Sequence, residues 1–327
     1  MHIRQIDITQ DDDLSTVLSA WHDFTASTLP GPGFGAHRLR FDAGVGLDSE
    51  CLNLAAFADE QAESASGLIT VRLERTTNTD LGDAFVFLRA DQSETTVADA
   101  LLTAARTRLA QAGRSRVHIN MPQVAPSPAY GPLYSPAPAF TSVCSTLDLS
   151  AVDRQQFAEW AAPSPENKDF QIVHWVDHCP DELVESYNVC LKAMDDAPLE
   201  DLNVEHSERS VAKLRQGEAL TVSYGVKRYV AAAVTEKGEV AGFTQSVWTP
   251  EEPEVLDLWS TAVIRAHRGH GLGLRIKAAS TLKFVDDLPG AAWVMTFNNH
   301  ANEHMLAVNR RLGYQALRTW EIHEFPC

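Results

Sequence analysis

The sequence lacks the features of several protein classes. Its five cysteines, at positions 51, 144, 179, 190 and 327, are scattered and odd in number. No two form C-x-x-C, so neither a disulfide framework nor a zinc knuckle is expected, and the thiols read as small buried or surface groups. No apolar run approaches the length of a membrane span, and Met1-His-Ile-Arg4 does not open a signal peptide. A soluble, cytoplasmic protein is expected. Basic residues are scarce: 27 Lys and Arg against 44 Asp and Glu give a formal net charge of −17. That disfavours nucleic acid and anionic membranes as partners and suits a cationic one, although an acidic surface also simply keeps a protein soluble.

What is present is a globular composition. Hydrophobic residues make up 44% of the chain, and 327 residues are too many for one small domain, so two are expected. The most informative stretch runs from Val255 to Leu282. Val255, Leu256, Leu258, Trp259, Val263 and Ile264 form an apolar run of β-formers; Arg268-Gly-His-Gly-Leu-Gly273 is a glycine turn; Leu274, Ala278, Leu282 and Val285 then repeat with helical period. A glycine turn that opens a helix leaves convergent backbone N–H groups at the positive end of the helix dipole, which makes a phosphate cradle. A dinucleotide loop is excluded because Leu274 and Ile276 stand where its third glycine belongs. A P-loop is excluded because neither Gly269 nor Gly271 has a glycine five residues on.

The spacing that fits is R-x-x-G-x-G, on Arg268, Gly271 and Gly273. Downstream, Asn302, Met305, Val308, Gly313 and Tyr314 form a second pattern, preceded by the apolar strand Ala291–Phe297. Together these motifs resemble the GNAT superfamily of acyl-CoA-dependent N-acyltransferases. The resemblance implies an α/β (α+β) fold, with a twisted mixed sheet flanked by helices.

The first half repeats the order of the second. Ile3–Ile8, Leu52–Ala58, Gly67–Leu73, Ala84–Leu88 and Arg116–Asn120 read as strands, with helices over Asp11–Phe24 and Val97–Ala110. The loop Pro30–Gly35 is glycine-rich, but no helical pattern follows it. At the place of the glycine cradle stands Arg89-Ala-Asp-Gln-Ser-Glu-Thr-Thr-Val97, without glycine and with Asp91 and Glu94. The prolines of Pro122–Ala139 exclude a helix there. Residues 1–150 are therefore expected to be a degenerate, structural copy closed by the strand Phe140–Leu149. Residues 151–169 are expected to be a linker, and 170–327 the intact acyl-CoA-binding domain, closed by Tyr314–Phe325. This layout resembles tandem actinobacterial GNAT proteins, of which mycothiol synthase is similar in architecture.

The resemblance implies an N-acetyltransferase with acetyl-CoA as co-substrate and no metal, acting on the primary amine of a small, cationic metabolite as a monomer or homodimer. A non-catalytic acyl-CoA-binding protein and a transferase for longer acyl-CoAs stay open. The backbone of Thr261, Ala262 and Val263 would take the oxyanion and pantetheine arm. Arg268, Gly269, His270, Gly271, Leu272, Gly273 and Leu274 would hold the pyrophosphate, and Asn302 would meet the cofactor's arm. An acceptor ammonium must lose a proton before it can attack. Asp257 occupies the family's base position, with Glu254 as second choice; Asp257 also reads as a strand-end residue facing water. Asn309 stands where the family places a tyrosine acid; it can hydrogen-bond sulfur but donates no proton, and His270, His300 or His304 could substitute. The acidic segment Asp195–Glu205, with Asp195, Asp196, Glu200 and Asp201, reads either as an acceptor-binding loop or as a solvated one.

Overall fold

A computed structural model describes every residue except Pro32 and Val45. The chain forms two compact units. One comprises Met1–Val143, Leu199–Ser207 and Arg318–Cys327; the other comprises Cys144–Pro198 and Glu208–Leu317. The expected division into 1–150, 151–169 and 170–327 differs from these units in its closing strands. Strand β6 (Phe140–Asp148) passes into the second unit, and most of β12 (Gln315–Pro326) belongs to the first. Each unit is thus completed by a strand from the other half of the sequence. A β-period marks a segment as a strand but does not say which neighbour it pairs with.

In the first unit the sheet runs β1 (His2–Gln5), β2 (Ser49–Phe57), β3 (Gly67–Glu74), β4 (Leu81–Leu88), β5 (Arg116–Pro122), β12. The β4–β5 pair is parallel and β5–β12 antiparallel. Helix α1 (Asp11–Thr28) opens on three aspartates, which suit its positive end, and buries Leu14, Val17, Trp21 and Phe24. Helix α2 (Ala36–Ala43) follows the Pro30–Gly35 loop, where no helix was expected. Only Leu39 and Ala43 of it are buried, too few for a periodic signal. Pro32 of that loop lies outside the described residues. Helix α3 (Thr96–Gln111) buries Val97, Leu101, Ala105 and Leu109. The proline-rich segment forms a short 3-10 turn over Pro128–Leu133 and no α-helix.

In the second unit the order is β6, β11 (Trp293–Asn299), β10 (Glu252–Val263), β9 (Val240–Thr249), β8 (Lys227–Thr235), β7 (Phe170–Val176). Helix α4 (Arg154–Ala161), inside the expected linker, inserts Phe157 into the core with Leu256, Ala278 and Phe284. Helices α5 (Asp181–Leu191) and α6 (Val211–Ser223) follow β7, α7 (Leu272–Asp287) follows β10, and α8 (Glu303–Arg311) follows β11. Trp175, Tyr187 and Phe243 meet edge to face in a second apolar cluster.

Candidate active site

The glycine turn does what its composition requires. Gly269 and Gly271 have φ of +86° and +70°, a region that side-chain-bearing residues avoid. Gly271 is the N-cap of α7 and supplies no side chain, so the N–H groups of Leu272, Gly273 and Leu274 have no acceptor within the helix. A Cβ added at Gly273 would meet nothing within 4 Å. An unobstructed row of amides at the start of a 16-residue helix fits a pyrophosphate.

The turn is held by residues that sequence reading had placed in a linker. Asn167 Nδ2 donates to the carbonyl of His270 at 3.0 Å, and His270 Nδ1 lies 2.9 Å from the carbonyl of Glu166. From α7, the buried Arg275 donates to the carbonyls of Ala161, Asn167 and Phe170 and to Asn167 Oδ1. His270 is thereby committed to shaping the loop.

Beside the turn, two strands part. Parallel pairing of β10 with β11 covers Val255–Leu258 against Trp293–Thr296 and ends there; Thr296 Oγ1 donates to the Leu258 carbonyl at the apex, 3.1 Å away. Beyond it, Thr261, Ala262 and Val263 pair only with β9, at Thr244, Phe243 and Gly242, so their other edge faces the fork. A register shift between Leu258 and Ser260 bulges Trp259, which locally twists β10 away.

Asp257 lies inside this strand, opposite Met295 and Val247, and is 8% exposed. The strand-end reading is thereby overturned. Its Oδ2 accepts from Trp259 Nε1 at 3.1 Å. Glu254 is half-buried, and its carbonyl accepts from the N–H of Ala292. Asn302 caps α8, with Oδ1 accepting from the N–H of Met305 at 3.2 Å, so only its Nδ2 is left for another contact.

Asn309 is not the free donor that its position suggested. It is buried: its Oδ1 accepts from Lys277 Nζ at 2.5 Å, and its Nδ2 donates to Asn298 Oδ1 at 2.7 Å. Both ends of the amide are occupied, so it cannot reach toward sulfur unaided. Lys277 also lies over the Tyr314 ring, 4.7 Å from its centroid. Burial pushes its ammonium down to about 7 from 10.5 and pushes the Tyr314 hydroxyl upward. The sequence carried a signal for Lys277: it stands three residues after Leu274, on the inward stripe of α7, where an apolar residue is expected.

The four acidic residues of the expected acceptor loop are divided. Asp196, at the end of the 3-10 turn Lys192–Asp196, accepts from Arg268 at 2.5 Å and from Arg265 at 3.4 Å. Arg268 Nε also donates to the Val263 carbonyl. Asp195 pairs with Arg209 at 3.1 Å. Glu200 belongs to the first unit, where its carboxylate accepts from the N–H of Thr141, and exposed Asp201 belongs there too. His300 and His304 are both exposed, and no cluster of three or more metal-ligating side chains occurs among the described residues.

No family model matches this sequence, and no curated protein matches it. Solved structures do. A tandem GNAT protein from the clavulanic acid biosynthesis pathway superposes with a TM-score of 0.78 at 19% identity, over 99% of this chain and 98% of that one. A GCN5-related N-acetyltransferase from Sphaerobacter thermophilus gives 0.62 at 14% identity, over 99% and 95%. An N-myristoyltransferase of Saccharomyces cerevisiae with bound myristoyl-CoA gives 0.60 at 8% identity, over 99% and 79%. With a glycine turn that opens a helix beside a forked strand pair in the second unit, and like structures covering nearly the whole chain, this protein has the tandem GNAT fold.

Proposed function

We propose that this protein is an acyl-CoA-dependent N-acyltransferase. Our finer reading is transfer of an acetyl group from acetyl-CoA to the primary amine of a small, cationic metabolite, in the cytoplasm and by a monomer or homodimer. The observation that carries it is the open amide row of α7 beside the unpaired edge of β10.

In this reading Arg268 and the amides of Gly269 to Leu274 hold the pyrophosphate, while the backbone of Thr261, Ala262 and Val263 holds the pantetheine arm and the acyl oxygen. Asn302 Nδ2 meets that arm. Asp257 accepts the ammonium proton, directly or through water, with Trp259 Nε1 fixing its carboxylate. Glu254 is the second candidate. The freed amine attacks the acyl carbon and the C–S bond breaks. Asp195 and Asp196, both in the second unit, are candidates for attracting the acceptor, and Asp196 must first leave Arg268.

The test is an acceptor screen with a panel of primary amines and acyl-CoAs of increasing length. Free thiol released only when an amine is present supports the transferase. CoA bound without thiol release at any amine would indicate a binding protein instead, and turnover confined to long chains would replace the acetyl donor.

A further inference from the structure

Lys277 occupies a helix position that is apolar in the first unit. It is the sixth residue of α7; the sixth residue of α3, in the first unit, is Leu101, and both are fully buried. No carboxylate pairs with Lys277 among the described residues. Its partners are Asn309 Oδ1 from α8 and the face of Tyr314. An unpaired buried ammonium destabilises a core, so its presence calls for a use.

The hydrogen-bond directions supply one. Lys277 Nζ donates to Asn309 Oδ1, which holds that oxygen on the lysine. That leaves Asn309 Nδ2 to face Asn298, whose Oδ1 must accept. Asn298 is therefore fixed with its Nδ2 as the free end, and this group has no partner among the described residues. Asn298 is half-buried and stands two residues beyond Thr296, where β11 parts from β10.

On the acyl-transfer reading above, we infer that Lys277 is a positioning residue that, through Asn309, presents Asn298 Nδ2–H to the sulfur of the departing CoA. As the amine nitrogen bonds to the acyl carbon, the C–S bond breaks and its electron pair stays on sulfur. The Asn298 N–H stabilises that pair as a thiolate. No proton passes along the amides, and sulfur is protonated by solvent after release. This answers the absence of a tyrosine at position 309.

The test compares wild type with Lys277→Met and Asn298→Ala. Each variant should lower kcat by roughly ten- to a hundredfold, the range for a hydrogen bond to a charged group, with the KM for acyl-CoA unchanged. The ultraviolet thiolate absorbance of bound CoA should titrate at higher pH in both variants than in wild type. Stability separates this from a structural role. The folded value of Lys277 is about 7 and its unfolded value 10.5, so the folded wild type is penalised fully below pH 7 and progressively less as pH rises to 10.5. Lys277→Met should therefore be no less stable than wild type near pH 7, and its relative stability should fall as pH rises through that window. Asn298, being half-buried, keeps the test available if Lys277→Met does not fold. Wild type that binds no CoA would remove the acyl-transfer reading and this inference with it. Wild type that binds CoA and turns over, with variants of unchanged kcat and unchanged thiol titration, would overturn this inference alone.

Discussion

The two units carry the same strand–turn–helix step and differ in what stands before the helix. In the second, the turn is glycine, the helix cap offers no side chain, and the edge of β10 is free beyond Leu258. In the first, the chain itself fills the end of the strand and the loop after it. The N–H of Leu88, at the end of β4, donates to the Tyr130 hydroxyl at 2.8 Å, and the N–H of Ala90 donates to Asp23 Oδ2 at 2.8 Å. Arg89 is paired with Asp91 rather than left for a ligand. Tyr130 comes from the proline-rich segment that stands where the second unit has α8. The first unit thus lacks the glycine turn, and it also takes up internally the backbone donors that follow its strand.

The largest effect should come from closing the open cradle. Gly271→Asp adds a side chain at φ +70°, 3.7 Å from Asn167, and puts a negative charge at the positive end of α7. Backbone strain and charge together should weaken CoA binding by on the order of a hundredfold or more. Ser93→Asp, in the corresponding loop of the first unit, should leave binding unchanged. Calorimetry decides both, and a stoichiometry of two CoA per chain would break the comparison outright.

Next in size is Asp257→Asn. Loss of the proton acceptor should lower kcat by roughly a hundredfold with little change in CoA affinity. The deficit should shrink as pH rises, because the amine then arrives already deprotonated. A parallel pH–rate profile for variant and wild type would transfer the role to Glu254 or water.

The filled unit is tested by Tyr130→Phe. Removing the hydroxyl leaves the buried N–H of Leu88 unpaired, which should cost about 1–2 kcal/mol of stability by chemical denaturation. CoA affinity and turnover should not change. A second CoA equivalent bound by this variant would mean that Tyr130 alone closes the first cradle.

Much of this contrast was legible in the sequence because glycine and proline act locally. Gly271 and Gly273 announced the open turn, and the prolines after Met121 announced the missing helix. Most of the strands and helices of the first half were legible for the same reason: alternation and helical period are local signals. The exchange of β6 and β12 was not, since pairing partners are chosen over long sequence distances. Arg275, Asn167 and Asn298 were not legible either. A lone Arg or Asn in a sequence reads as surface, and only packing shows that Arg275 is buried under three carbonyls; Lys277 stood out on an apolar stripe, but its partner Asn309 needed the packing. Asp257 was half legible: a carboxylate in an apolar run stood out, but its burial depended on the neighbours of β10.

The smallest expected effect is also the one that decides between two roles for Asp196. As an acceptor ligand it would face the amine; in the structure it bonds to Arg268, the arginine of the cradle. Both side chains are more than a third exposed, so water and salt screen the pair. Neutralising it by Asp196→Asn removes a carboxylate that competes with the incoming pyrophosphate for the same guanidinium. CoA affinity should therefore rise, by no more than about fivefold, since exposed pairs are worth at most about 1 kcal/mol. The gain should fade as salt is added, because the competition is electrostatic and solvent-accessible. The amine KM should stay at its wild-type value. An increased amine KM with unchanged CoA affinity would reverse the assignment and return Asp196 to the acceptor side.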